Sequence, residues 1–247
     1  MINSKASFNP HLSVDCVIFG FDGSRLRVLL IERVYPESQN QEDKKYKLPG
    51  DLIHIREDLD EAAKRVLNDL TGLQNIFLRQ FSVFGNPERM NKDDDRHWLE
   101  QTSGVKINRV VTTAYYSLIR IDKSKTEIEV SNNASWHNVK KLPPLSFDHK
   151  MIILRGLESL RKEIRFEPLC FELLPGKFTV RQIQTLYEVV IGHKLDNRNF
   201  RKKLLKAVYI ELLNEKQQGV AHKPAMYYRF NRERYQETRT DLLYYYF

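Results

Sequence analysis

Apolar residues recur along this chain in two rhythms, and the change from one to the other divides it. From Leu12 to Phe21 and from Leu26 to Arg33 they run almost without interruption, as in buried strands, with hairpin-turn chemistry at Phe21-Asp22-Gly23-Ser24 between them. Further strand-like runs lie at Asn75–Phe84, Val110–Ile121 and Ser135–Val139. Charged stretches at Pro36–Lys45, Asn86–Asn108 and Asp122–Lys125 read as loops. Leu59, Ala62, Ala63, Val66, Leu67 and Leu70 stand at helical spacing, which predicts one amphipathic helix over Asp58–Leu70, ended by Gly72. Leu142-Pro143-Pro144-Leu145 is turn-forming and leads to Asp148, which can cap a helix over His149–Lys162.

Beyond a seam between Ile164 and Leu174 the rhythm becomes helical. Ile183, Leu186, Tyr187 and Val190 share one face of a helix over Phe178–Ile191, with Thr179 as its cap and Gly192 as its stop. Asp196 can cap a second helix with Phe200, Leu204, Val208 and Leu212 at i, i+4 steps, and a strand is expected at Ala225–Phe230. The expected domains are therefore residues 1–165, of α/β class, and residues 166–247, of paired helices and a strand. The terminal Tyr244-Tyr245-Tyr246-Phe247 is expected to pack on its own domain or on a second copy.

Composition narrows the class. In 247 residues 41% are hydrophobic, enough for a core, yet no apolar stretch nears the roughly 18 residues of a membrane span. The N-terminus lacks the apolar run of a secretory signal, so a soluble cytoplasmic protein is expected, with no membrane partner. Cys16 and Cys170 have neither disulfide-framework nor zinc spacing and read as buried apolar residues; no metal and no cofactor is expected. The net charge of +8 is unevenly placed: residues 151–247 carry 18 Lys and Arg against 11 Asp and Glu, leaving residues 1–150 near neutrality. A basic back module beside a neutral front one is the asymmetry expected when only one of them meets a polyanion.

That excess gathers on the second helix. Six Lys or Arg face one Asp between Lys194 and Lys206. Two helices joined by a short turn, the second basic, fit a helix-turn-helix reading the major groove, with Ala225–Phe230 as a wing strand. Arg and Asn can make bidentate contacts to base edges, and Lys supplies charge to phosphates. The candidate DNA-binding residues are Arg198, Asn199, Arg201, Lys202, Lys203, Lys206 and, on the wing, Lys223; His193 and His222 read as surface residues.

The front half resembles the Nudix family. Leu48-Pro49-Gly50, Glu57, Arg65 and Thr71-Gly72-Leu73 follow the Nudix box, spanning residues 48–73. Counting back from Gly72 places Glu57 on the first glutamate and Arg65 on the arginine of the pattern, but Asp51 on its first glycine and Val66, Asp69 and Leu70 on its three helix carboxylates. In the family those carboxylates converge on divalent cations that bridge a pyrophosphate. With Val66 and Leu70 apolar, Glu57 and Asp69 read as solvated or capping groups, and no catalytic residue and no enzyme activity is expected.

Asp15, Phe84-Gly85-Asn86-Pro87-Glu88-Arg89, Ala114-Tyr115-Tyr116 and the run from Leu142 to His149 resemble the Nudix-related transcriptional regulators, and so do Asp196–Leu204 and Lys223–Phe230 in the back half. The resemblance implies a Nudix-like α/β/α sandwich with a mixed sheet, then a small winged helix-turn-helix, working as a homodimer on operator DNA. Its arabinose-responsive branch is the nearest in kind. Asp15, Arg33, Lys47, Asp51 and Arg89 are the candidate effector contacts, Asp15 because a buried carboxylate needs partners. The expected function is a ligand-responsive regulator of sugar utilisation, by default a repressor. L-arabinose is favoured over an ADP-ribose-like nucleotide because Asp51 in place of the box glycine, and Val66 and Leu70 in place of metal carboxylates, make the pocket less hospitable to a metal-bound pyrophosphate. The alternatives are an active Nudix hydrolase of nucleoside diphosphate derivatives with a nucleic-acid-binding C-terminus, and a nucleic-acid-binding module without a ligand.

Overall fold

A computed structural model describes residues 7–33, 45–121, 133–164, 169–221 and 223–244. Two compact units divide the chain, Met1–Lys162 and Glu163–Phe247. The first is built on a mixed seven-stranded sheet: β1 (Phe8–Phe21), β2 (Leu26–Glu32), β3 (Tyr46–Lys47), β4 (Gly50–His54), β5 (Arg79–Phe84), β6 (Val111–Arg120) and β7 (Ala134–Asn138). β1 lies at its centre, parallel to β6 over ten pairs and antiparallel to β2 at one end and β4 at the other. Such a central strand has both faces covered, which is why β1 reads as a continuous apolar run rather than an alternation.

The two faces are covered by different helices. α1 (Leu59–Thr71) packs Ala62, Ala63, Val66 and Leu67 against Val14, Cys16 and Ile18 of β1. α3 (His149–Glu163) lies on the opposite face, where a Cβ on Gly156 would come within 3.5 Å of Val17. This is the expected α/β/α sandwich. α1 begins at a capping box, Asp58 accepting from the Glu61 N–H and Glu61 reaching back to the Asp58 N–H, and ends at Gly72 in the left-handed conformation. Asp148 does not cap α3 with its side chain, which is committed elsewhere.

Other expectations need correction. Residues Asn86–Asn108 are not a bare charged loop: α2 (Asp93–Ser103) forms there. It has no broad apolar stripe, but Asp93, Asp94 and Asp95 in its first turn suit the helix dipole and Gly104 closes it. β5 starts at Arg79 rather than Asn75, because Asn75 adopts a positive φ of 55° that breaks the extended backbone. The loops expected at Pro36–Lys45 and Asp122–Lys125 fall almost wholly outside the described residues, as do 245–247 of the aromatic ending.

In the second unit α4 (Val180–Ile191) and α5 (Asn197–Leu204) are joined by a short turn, followed by a hairpin of β8 (Ile210–Lys216) and β9 (Met226–Phe230) and by α6 (Arg232–Tyr244). Thr179 and Gln182 form a capping box, Gly192 (φ 92°) ends α4, and Asp196 caps α5. A backbone bridge between Phe178 and Tyr228 adds a third extended segment to the hairpin, completing a winged helix. The second helix is shorter than its i, i+4 pattern implies. It stops at Leu204; Val208 is 61% exposed, and Leu212 belongs to β8, paired with Tyr228. Pairing of Ile210 with Phe230, and the rings of Tyr209, Phe171 and Phe230 packed together, hold the chain extended there, a tertiary override of local helical spacing.

Candidate functional site

Alternation along β1 places Ser13, Asp15, Val17 and Phe19 on the face opposite α1. A cleft of about 370 Å³, counting its open mouth, lies at Ser13 and Asp15. Asp15, Lys47, Asp51 and Arg89 line it, with an apolar wall that includes Leu52, Met90, Leu99 and Val110, and the rings of Trp98, Phe147 and His149.

Asp15 is buried, and its carboxylate stands 3.5 Å from Arg89 and 3.4 Å from Nε2 of His149. It fits only because residue 50 is glycine: a Cβ there would lie 2.0 Å from Asp15 Oδ1 and 2.9 Å from the Val14 carbonyl. The Leu48 N–H donates to His149 Nδ1 at 2.9 Å, so the ring proton belongs on Nε2, facing Asp15. Burial holds His149 below its usual pKa, consistent with a neutral ring of that tautomer. Arg89 is gripped by Asp148 through Nε (3.2 Å) and Nη2 (3.0 Å) and donates to the Val110 carbonyl.

Lys47 is buried and donates to the Gly50 carbonyl at 2.7 Å, with its ammonium 5.4 Å from the Trp98 ring. Burial pushes its pKa down, against the pull of Asp51 and Asp15. Asp51 lines the cleft, yet its partner across the ladder is Val14, on the α1 face, and its carboxylate accepts from the Leu52 N–H at 2.7 Å. Its pKa is raised by burial, opposed by Lys47.

Arg33 does not line the cleft. Its guanidinium is fully buried behind it, bonded to Asp95 and to Ser146 Oγ (2.7 Å) and stacked 4.5 Å from Trp98. The other oxygen of Asp95 accepts from the Phe147 N–H at 2.7 Å and pins that residue at φ 54°, a left-handed conformation strained for a phenylalanine. The missed residues of the site, Trp98 and Asp95, sit on α2, which was itself missed. Phe147 and His149 are legible only as part of a resemblance, and Asp148 as a helix cap, a role its side chain does not take.

The box residues assemble no metal site. Glu57 is spent on Arg65, whose Nε and Nη2 donate at 2.6 and 2.9 Å; this hydrogen bond keeps the Glu57 carboxyl below its usual range, against burial, which raises it. Val66 is in the core, Leu70 packs against it, and Asp69 is exposed beside Arg65 at 3.9 Å. Among the described residues no group of three or more His, Cys, Asp or Glu could hold a metal ion. The preference for a neutral sugar draws on Val66 and Leu70, neither of which lines the cleft, and on Asp51, which does.

In the second unit α5 turns Phe200 and Leu204 toward Tyr187 and the core and leaves Arg198, Asn199, Arg201, Lys202 and Lys203 exposed. Lys206, just past the helix, is exposed as well. Among the described residues none of these cations has an ion-pair partner. Lys223 is exposed in the segment between the wing strands, His193 is exposed beside the α4–α5 turn, and His222 lies outside the described residues. Cys16 and Cys170 are buried thiols, as expected, and among the described residues no helix is long and apolar enough to cross a membrane.

Comparison with known proteins agrees with both units. Residues 170–230 match the NrtR DNA-binding winged helix domain. The "ADPR responsive transcriptional repressor NtrR" of Acinetobacter baylyi is 29% identical over 228 residues, covering 90% of this chain and 82% of that protein. The structure of Shewanella oneidensis NrtR in complex with a 27mer DNA superposes with a TM-score of 0.68 at 23% identity, covering 90% of this chain and 94% of that one. A MutT/nudix family protein from Enterococcus faecalis gives 0.58 at 21% identity, covering 90% and 88%. The chain thus shares the fold of the NrtR structure, a Nudix-like mixed α/β domain followed by a winged helix. None of these likenesses supports an arabinose-responsive branch, a sugar-utilisation role or L-arabinose as effector.

Two predictions follow from this geometry. Gly50→Ala should force Asp15 and β1 aside, costing about 1–3 kcal/mol as overpacking does, read as a fall of several degrees in the thermal midpoint. Arg198→Ala or Asn199→Ala should relax sequence choice by about 1–3 kcal/mol at one operator position, whereas Lys203→Ala should weaken all DNA alike and flatten the salt dependence by about one unit of slope. Binding titrations at several salt concentrations separate the two behaviours.

Proposed function

We propose that this chain is a DNA-binding transcriptional repressor whose Nudix-like domain binds ADP-ribose as effector and does not hydrolyse it. The observation that carries this is the pairing of two features. A relative named as ADPR-responsive aligns over 90% of the chain, and the cleft offers two buried cations, Lys47 and Arg89, beside the Trp98 ring. ADP-ribose joins a diphosphate dianion to an aromatic base and two polyhydroxylated sugars. The cations suit the diphosphate, the ring suits the base, and Asp15 has room for sugar hydroxyls because its own partners stand at 3.4 and 3.5 Å, longer than good hydrogen bonds. Asp51 is a contact at the rim; Arg33 supports the cleft from behind.

Arg198 and Asn199 read bases; Arg201, Lys202, Lys203, Lys206 and Lys223 meet phosphates. A homodimer would present two such helices to half-sites about one helical turn apart. Effector control is then linkage: a ligand favouring the DNA-free form tenfold weakens DNA binding tenfold, about 1.4 kcal/mol. No observation on this chain favours the hydrolase alternative, whose acidic cluster is missing from α1.

Calorimetric titration with ADP-ribose and with L-arabinose, each with and without EDTA, tests the assignment. ADP-ribose should bind in both conditions, L-arabinose in neither, and ADP-ribose should be recovered intact after incubation with Mg²⁺. Release of AMP and ribose 5-phosphate would revive the hydrolase, and binding of L-arabinose alone would return the effector to the sugars.

A further inference from the structure

The turn between α4 and α5 is held by two buried polar side chains, which is unusual on a helix face that could have been apolar. Gln184 is 3% exposed and Glu188 6%, one helical turn apart on α4. An unsatisfied buried amide is costly, and satisfied buried polar groups specify geometry that apolar packing leaves loose. Here the Gln184 amide nitrogen and the Glu188 carboxylate both bond to the turn. Gln184 Nε2 lies 3.1 Å from the Leu195 carbonyl, 2.5 Å from Asn197 Oδ1 and 3.0 Å from Glu188 Oε1. Glu188 Oε1 accepts in turn from the Leu195 N–H at 3.2 Å, and its Oε2 accepts from Lys194 Nζ at 2.8 Å.

Both backbone polar groups of Leu195 are thus held from α4, one residue before Asp196, which caps α5. We infer that Gln184 and Glu188 form a positioning clamp that sets the direction in which α5 leaves the turn, and so determine sequence-specific DNA recognition without touching DNA. The clamp also sorts the side chains around it. Asn197 is bound to Gln184 and so withdrawn from base reading, whereas Asn199 uses its backbone N–H on Asp196 and, among the described residues, no bond ties its side-chain amide.

The inference rests on the proposed DNA binding, and one experiment keeps the two apart. Duplexes are selected from a randomised pool with the full-length wild-type chain, and affinities for a selected duplex and a shuffled one of equal length are measured at several salt concentrations. Gln184→Met keeps the volume and removes the donors. It should lose about tenfold on the selected duplex, the scale of one buried hydrogen bond, with shuffled DNA and the salt slope unchanged because no phosphate contact is altered. Glu188→Gln retains an oxygen for the Leu195 N–H and should stay within about threefold of wild type on the selected duplex.

Asn197→Ala covers the case in which Gln184→Met fails to fold. It should lower the selected-to-shuffled ratio in the same direction. Where both single variants fold, the double variant should lose no more than Gln184→Met alone, as partners in one interaction do. Equal losses on both duplexes, an unchanged Gln184→Met, an additive double variant or an unchanged Asn197→Ala would overturn the clamp. If the wild-type chain selects no duplex at all, the DNA-binding function itself fails.

Discussion

Asp15 puts a carboxylate into a central strand whose neighbours Val14, Cys16, Val17, Ile18 and Phe19 are fully buried. A charge so placed must be met from within the protein, since leaving it without partners costs several kcal/mol. The rest of the cleft can be derived from that demand. Arg89 and His149 are brought to it from the 3₁₀ turn after β5 and from the start of α3. Each then needs its own anchor, Arg89 on Asp148 and His149 on the Leu48 N–H. The strand facing Asp15 must carry glycine at residue 50. Segments distant in sequence thus converge on one buried carboxylate.

Cations are used in opposite ways in the two units. In the first, Arg33, Lys47 and Arg89 are buried, and each is tied to a carboxylate or a carbonyl. Such groups are already desolvated and fixed, so a ligand that meets them does not have to order them. In the second, the cations of α5 are exposed on a helix held from behind by Phe200 and Leu204. Their charge stays in solvent, where it is screened by salt and suits contact with a polyanion. The even charge of residues 1–150 against the excess in 151–247 is the sequence trace of this difference.

Much of the fold could be read from spacing alone because its signals are local. The caps Thr179 and Asp196 and the stops Gly72 and Gly192 act within a few residues of where they stand, and all do so in the structure, whereas Asp148, the other expected cap, turns its side chain to Arg89. Four of the five proposed cleft residues do line one cleft. What escaped the sequence depends on contacts far along the chain. α2 has no stripe to announce it, because its inward groups are Asp95, there for Arg33, and the half-buried Trp98 and Leu99. Val208 and Leu212 continue a helical rhythm that the wing's strand pairing overrides. Arg33 looks like any strand-end cation until Asp95, 62 residues away, is seen beside it.

The eroded Nudix box is the clearest case in which spacing was right and its consequence was not. Val66, Asp69 and Leu70 do stand at the carboxylate positions, and among the described residues no metal cluster forms. Read from the sequence alone, this favours a neutral sugar over a diphosphate. That step assumes the altered side chains share the ligand's space. Val66 instead packs on β1's Val14, Cys16 and Ile18 face, and the cleft is on the face that carries Asp15. An anion in the cleft meets fixed cations instead, Lys47 and Arg89. Loss of metal chemistry and retention of an anionic ligand are therefore compatible in one domain, because catalysis needs a cation that can activate water, whereas recognition needs only one that is held in place.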